Sequence, residues 1–261
     1  MKKSKKILNI IIFCIIGCFT SSCGGSNSSD DPIPNVQTSI SLSKNVVTLT
    51  CGETESIYVN GVNATECDIK VDDDFVAYTS SNKNSININS KHVGKTKIRL
   101  SYNSKSSIID VEVKPTLNLI GNPTILFDEN WDAVKRANKG YQLIEYDNRF
   151  DIFEKADYVT ITHRYQFSSN ILKNILTESY HGQQTNKYQS QYRSIMDEYA
   201  TFTEEYYSTA FGGKILIYNR NNQYLIGMRT FDGNDKGWYI YYAKTREEII
   251  EKLSVNPSIS L

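Results

Sequence analysis

The sequence predicts an all-β sandwich followed by an α+β domain with a mainly antiparallel sheet and packed helices. Three observations predict it. Between residues 38 and 115, apolar side chains alternate with polar ones in short runs that have no helical period. Beyond Pro115 the material changes: both tryptophans and fifteen of the eighteen tyrosines lie there. In that later part, strand-like runs are mixed with segments whose apolar residues recur at helical spacing. The 261 residues suffice for two domains of ordinary size.

The chain opens on "MKKSKK", four lysines, followed by the nearly apolar run Ile7 to Ile16. A membrane-spanning helix needs about twenty such residues. A basic start and a short apolar run have instead the form of a secretory signal. The run ends on two cysteine candidates, "IIGC" at Cys18 and "TSSC" at Cys23. This resembles the lipobox of bacterial lipoproteins, where the signal is cut just before a cysteine that then carries acyl chains. Cys18 has the aliphatic residue three positions earlier that the family shows, whereas Cys23 has Thr20 there. Cys18, however, is followed by apolar Phe19, and Cys23 by "GGSNSSDDPIP", the flexible hydrated tether that a lipid-bearing residue needs. The expectation is a signal over residues 1–22, lipidation at Cys23 and a tether to residue 37. The resemblance implies a lipid-anchored protein of the bacterial outer membrane. "SNSSDD" is similar to tethers of lipoproteins that face outside, with the periplasmic face as the alternative.

Residues 38–115 read as strands throughout. Ile40 and Leu42 share a face, as do Val47 and Leu49, Ile57 and Val59, Ile69 and Val71, Ile86 and Ile88, Ile98 and Leu100, and Ile109, Val111 and Val113. About seven short strands in this length suggest a sandwich. The segment resembles the bacterial immunoglobulin-like domain of group 2. Gly52, Glu53 and Thr54 match that family's Gly-Glu-Thr; Val76 and Ala77 its Val-Ala; Gly94, Thr96 and Ile98 its Gly-x-Thr-x-Ile; Val111 and Val113 its closing Val-x-Val. The tryptophan often found on the family's third strand is absent. The resemblance implies a spacer or adhesive unit of a surface protein. Cys51 and Cys67 flank one strand, whose length of roughly 20 Å exceeds the reach of a disulfide, about 7 Å between α-carbons. They are expected as half-buried free thiols. Asp72 to Asp74 reads as a hydrated turn, since calcium needs oxygens gathered from several segments.

Residues 116–261 are expected to mix helix and strand. "DENWDAVKRANKG" has Asp128 as N-cap and Gly140 past its end. "YQLIEY" and "DYVTITHRYQF" are strands. "SNILKNILTESYHG" reads as an amphipathic helix with Ile171, Leu172, Ile175, Leu176 and Tyr180 inward. "NKYQSQYRSIMDEYATFTEEYYSTAFGG" reads as a long helix, with Tyr188, Tyr192, Ile195, Tyr199, Phe202 and Tyr206 in one stripe. "KILIYNRNNQYLIGMRTFDGNDKGWYIYYA" gives three strands and two turns. "TREEIIEKL" is a final helix with Thr245 and Glu248 as a capping box.

Losing the signal would take the charge balance from 29 basic against 29 acidic to 25 against 29. A mildly acidic chain lacks the basic footprint of a nucleic-acid binder. No G-x-S-x-G, H-E-x-x-H or P-loop occurs. "DGNDKG" has Lys236 and Ala243 where a calcium loop needs acids, so it reads as a turn. His163 lies on the apolar parity of its strand and reads as a core residue. No cofactor or metal is expected. The functional expectation is a non-catalytic surface protein binding a glycan or a protein through aromatic side chains. Trp131, Trp238, Tyr239, Tyr241, Tyr188 and Tyr192 are the candidates. The tyrosine stripe would be such a platform, or a helix face packed on the sheet with hydroxyls at its wet rim. The alternatives are a lipid-anchored hydrolase acting on glycans and a structural partner in a cell-envelope assembly.

Overall fold

The computed structural model describes residues 39–156, 159–180, 191–231 and 237–255. Cys23, Tyr188, His181 and the turn at Asp232 to Lys236 lie outside these. The first module holds β1 (Ser41–Leu42), β2 (Val46–Thr50), β3 (Thr54–Asn60), β4 (Asp68–Val71), β5 (Ala77–Ser81), β6 (Ser85–Ser90), β7 (Gly94–Tyr102) and β8 (Lys105–Lys114). They form two four-stranded sheets, in the orders β1-β3-β6-β5 and β2-β8-β7-β4. Period-two alternation sends Ile57, Val59, Ile86 and Ile88 from one sheet, and Val47, Ile98, Leu100, Ile109 and Val111 from the other, into one shared core. Each such side chain, fully buried, contributes about 1.5–3 kcal/mol. β2 runs parallel to β8; the other pairs are antiparallel. Cys51 and Cys67 are unpaired and half-buried.

The second module is one antiparallel sheet of eight strands, in the order β13-β14-β15-β16-β12-β11-β10-β9. Its members are β9 (Gln142–Glu145), β10 (Arg149–Ala156), β11 (Val159–Ser168), β12 (Ile171–Tyr180), β13 (Thr201–Ser208), β14 (Gly213–Arg220), β15 (Tyr224–Phe231) and β16 (Gly237–Ala243). Among the described residues three short α-helices accompany it: α1 (Trp131–Ala137), α2 (Tyr192–Tyr199) and α3 (Arg246–Ser254). Its central strands β12, β14, β15 and β16 are covered on both faces, whereas β11 alternates buried residues with partly exposed ones. Phe150, Ile161, Tyr165, Ile175, Ile226 and Ile240 face one cluster, with Val134 of α1 and Ile195 and Met196 of α2. Leu176, Ile215, Ile217 and Tyr241 face the other, with Ile249 and Leu253 of α3.

The expected fold class is overturned. Among the described residues the chain is β from end to end, three sheets with three short α-helices, and neither a clear immunoglobulin-like sandwich nor an α+β domain of packed helices describes it. The largest departures are the two segments read as long helices. Ile171 to Tyr180 is a strand. Its partner register runs Phe167 to Leu172, then Gln166 to Asn174, so Lys173 is an extra residue in a β-bulge. The bulge resets the parity, and Leu172 and Ile175, three apart as on a helix face, both point into the same core. Leu176 points to the opposite core, beneath α3. Two-sided burial plus one bulge therefore imitates helical spacing. The tyrosine stripe is broken in the same way: α2 ends at Tyr199, Ala200 is extended at φ −158° and ψ 161°, and Thr201 onward is strand. Thr201, Phe202, Thr203, Tyr206 and Tyr207 are residue types that favour that state.

Smaller readings differ by less. α1 is capped by Asn130, whose side chain accepts from Ala133 N–H, rather than by Asp128. β5 and β10 are strands that the sequence reading omitted. The α3 capping box is present as expected, with Thr245 and Glu248 bonded reciprocally. Hairpin turns at Asn103–Ser104, Ser169–Asn170 and Asn221–Asn222 have positive φ at both residues, the mirror-image turns that suit twisted strands.

α3 is seated by a glycine. A β-carbon on Gly227 of β15 would lie 2.2 Å from Ile249 Cγ2 and 2.8 Å from Leu253 Cδ1. Arg229, two residues on, donates to the Leu253 carbonyl at 2.6 Å and so bonds the last turn of α3. Gly227→Ala is expected to lower unfolding free energy by about 1–3 kcal/mol through overpacking. Urea titration checks this, and wild-type stability in the variant would show that α3 does not rest there.

Candidate functional site

The described aromatic candidates are placed mainly in the core. Trp238 is 4% exposed and stacks on Tyr192, 1% exposed, with ring centroids 3.7 Å apart and planes 18° apart. Tyr241 and Tyr239 are buried on the opposite face of the sheet, where Arg229 lies over the Tyr239 ring at 5.3 Å. Trp131 is half-buried against Phe150 and Phe167, at 5.2 and 4.7 Å. The sheet thus spends these rings on packing. Alternation explains why: Trp238, Ile240 and Tyr242 face one core while Tyr239 and Tyr241 face the other.

A different set of tyrosines lines a cleft where the modules join. A cleft of about 760 Å³ lies between the lower edge of β7 and β8 and the second module. Tyr242 forms its buried floor, Tyr199 and Tyr224 its half-buried wall, and Tyr141, 44% exposed, its rim. Lys95, Glu112, Asn118, Asn122 and Arg220 add polar groups. This size and mixture suit a small ligand or one segment of a chain. Burial raises the Tyr224 and Tyr242 phenols above their ordinary pKa, so they stay neutral at physiological pH.

Two contacts hold the cleft's walls. Arg220, at the end of β14, donates to the Tyr199 carbonyl at 2.9 Å and lies 4.6 Å from the Phe75 ring of the first module. Phe75 stacks on His92, centroids 3.8 Å apart and planes 7° apart. Gly94 makes the crossing possible, because a β-carbon there would stand 2.7 Å from the guanidinium. At the end of α2, the Glu198 carboxylate accepts from Thr116 N–H at 2.8 Å and from the Thr116 hydroxyl, while its carbonyl accepts from Val93 N–H at 2.7 Å. None of these residues was predicted as functional. One clue was present in the sequence: Arg220 lies on the same strand parity as Leu216 and Tyr218, just before an Asn-Asn turn.

The chain matches no protein-family model and no curated protein sequence. It is similar to solved structures of S-layer protein pieces. Domains 4 and 5 of SbsC are 17% identical over 29% of this chain and 50% of that one, with a TM-score of 0.24. Domains 5–6 are 12% identical over 78% and 83%, with a TM-score of 0.27. Domains 4–9 are 11% identical over 79% and 27%, with a TM-score of 0.26. TM-scores this low establish neither a shared fold nor a shared role.

One buried constellation has the outline of catalytic machinery. His163 Nδ1 lies 2.7 Å from the Thr177 hydroxyl and Nε2 lies 3.2 Å from Glu154 Oε2. The order hydroxyl, imidazole, carboxylate is that of a nucleophile, its base and an orienting acid. Thr177 has no exposed surface and His163 only 2%, so no substrate reaches the hydroxyl. The line is instead a polar tie through the core. Gly121, at φ +67°, closes it: a β-carbon there would lie 2.6 Å from Glu154 Oε2 and 2.7 Å from His163 Nε2. Burial raises the Glu154 pKa, but the bonds from His163 and Asn122 N–H lower it further, and it ends below the ordinary carboxylate value. Among the described residues no three His, Cys, Asp or Glu side chains gather as a metal site.

At the junction, burial pulls the His92 pKa below the ordinary imidazole value; the Phe75 carbonyl, 2.8 Å from Nδ1, opposes this and Arg220 reinforces it. His92 therefore binds its proton less readily folded than unfolded. Its presence costs stability as pH falls below 6.5, and the loss levels off once the folded form is protonated too. Glu154 has the depressed pKa of a bonded carboxylate, so its contribution is complete above 4.5 and is lost as pH falls through the lower folded value. His92→Phe should keep the stack and flatten stability between about pH 7 and 5. Glu154→Gln should flatten the acid limb below that. Urea midpoints measured across pH check both, and a wild-type profile in either variant counts against that residue.

Proposed function

We propose that the protein is a non-catalytic lipoprotein of the bacterial cell surface that holds a glycan or a protein segment in the tyrosine-lined cleft between its modules. The observation that carries the ligand site is the cleft itself: about 760 Å³, four tyrosines, and polar side chains from both modules. Tyrosine suits such a role because its ring offers apolar area and its hydroxyl a hydrogen bond, at little conformational cost. The clamp formed by Arg220 and Glu198 holds the walls before a ligand arrives, which lowers the ordering cost of binding. The location rests on the N-terminal sequence, the basic start, the short apolar run and the hydrated tether behind Cys23. The hydrolase reading loses its best candidate with the sealing of Thr177 and His163.

Cys23→Ser is expected to move the protein from the membrane fraction to the soluble fraction. Release by Cys18→Ser instead would put the lipidated residue at Cys18. For the cleft, a screen of glycans and envelope proteins should yield a binder. Tyr141→Ala and Tyr224→Ala should weaken that binder about tenfold or more, as removing a central aromatic contact does. A binder whose affinity ignores both substitutions is not held in the cleft.

A further inference from the structure

The first module carries a second surface of distinct chemistry. The sheet β1-β3-β6-β5 turns Ile57, Val59, Ile86 and Ile88 to the core and the alternate residues outward. The outward side chains of β3, β6 and β5 are hydroxyls, amides and two exposed tyrosines, with no charge among them. Tyr58 is 62% exposed and Tyr78 51%. Lys44 and Glu55, beside this face, neutralise each other in an ion pair.

Register fixes the layout. Thr54, Asn89 and Tyr78 lie in one row across the three strands, and Tyr58 lies opposite Ser85, four residues along β6. Two strand spacings and four residue rises put the tyrosine α-carbons roughly 17 Å apart on a diagonal. Asn87 and Asn89 stand between them. Their side-chain carbonyls are already occupied, by the Ser56 hydroxyl at 2.6 Å and the Thr54 hydroxyl at 2.9 Å. Each amide is thereby oriented, with its NH2 left to donate outward.

We infer that this face binds a neutral polysaccharide strand. The outward amides donate to oxygens, the tyrosine rings offer flat apolar area for the carbon face of a sugar, and the absence of charge matches a ligand that has none. A nucleic acid or polyanion would need cations that the face lacks. A protein partner would need an aliphatic or aromatic cluster at the centre of the patch, whereas here the two rings stand at the ends and amides fill the middle. The hydroxyl-to-amide bonds fix the donors before binding, so the ligand meets a pre-organised surface. The first module is then a binding unit in its own right, separate from the cleft.

The test is native affinity electrophoresis of the chain from residue 23 onward, carrying Cys23→Ser, through gels containing dextran, mannan, laminarin, arabinogalactan or xyloglucan, with heparin and polygalacturonate as charged controls. Retardation by at least one neutral polymer and by neither polyanion is expected. The double variant Tyr58→Ala, Tyr78→Ala should weaken it about tenfold or more, with its melting temperature close to wild type because both rings are exposed. Absence of retardation by all five neutral polymers overturns the inference, as does retardation by polyanions alone or undiminished retardation of the double variant. If Tyr141→Ala removes the retardation and the double variant does not, the binding belongs to the cleft and this inference fails while the cleft reading stands.

Discussion

Arg220 crossing from the second module to the first is the contact on which the candidate cleft depends. A guanidinium bonded to the Tyr199 carbonyl and lying over Phe75 fixes the end of β14 against the loop that holds His92. Glu198 makes a second fixed point, taking bonds from Val93 just before β7 and Thr116 just after β8. Two separated contacts resist hinging where one would act as a pivot. They make the space between the modules a shaped cleft, and they make Gly94 a positional requirement, since any side chain there would displace the guanidinium.

The second constraint is burial of the sheet's central strands, β12 and β14 to β16, on both faces. A sheet covered on one side alternates apolar and polar residues; one covered on both needs apolar residues in succession. β16 meets that demand with an unbroken buried run from Gly237 to Ala243. The consequence for function is direct. Tryptophan and tyrosine in that run are spent on packing, and the aromatic surface left to a ligand comes from strand ends, from the turn after α1, and from the outer face of the first module. Polar residues that fall on inward positions, His163, Thr177 and Glu154 among them, are absorbed into internal bonds.

The two proposed surfaces divide the labour by shape. The cleft lies between two walls and mixes tyrosines with charges. The outer sheet face is open, neutral and long enough for several sugar rings in file. The two proposed sites are separable because they share no side chain.

Sequence alone determined the short-range features of this chain. Strand alternation from Ile40 to Val113, the α3 capping box, the three strands from Gly213 to Ala243 and the unpaired state of Cys51 and Cys67 all follow from interactions within a few residues or from the reach of one strand. The lipoprotein reading of the first 37 residues is a proposal that rests on local composition alone. Tertiary structure decided what depends on neighbours distant in sequence. Leu172, Ile175 and Leu176 carry the same spacing whether they line a helix or straddle a bulged strand between two cores, and only the partners, β11 on one side and α3 above, choose between them. The same holds for aromatics: whether a tyrosine packs or faces a ligand depends on which layer covers it. That is why Trp238 and Tyr192 became core, while Tyr141, Tyr58 and Tyr78 were left at the surface and Tyr224 was left half-buried.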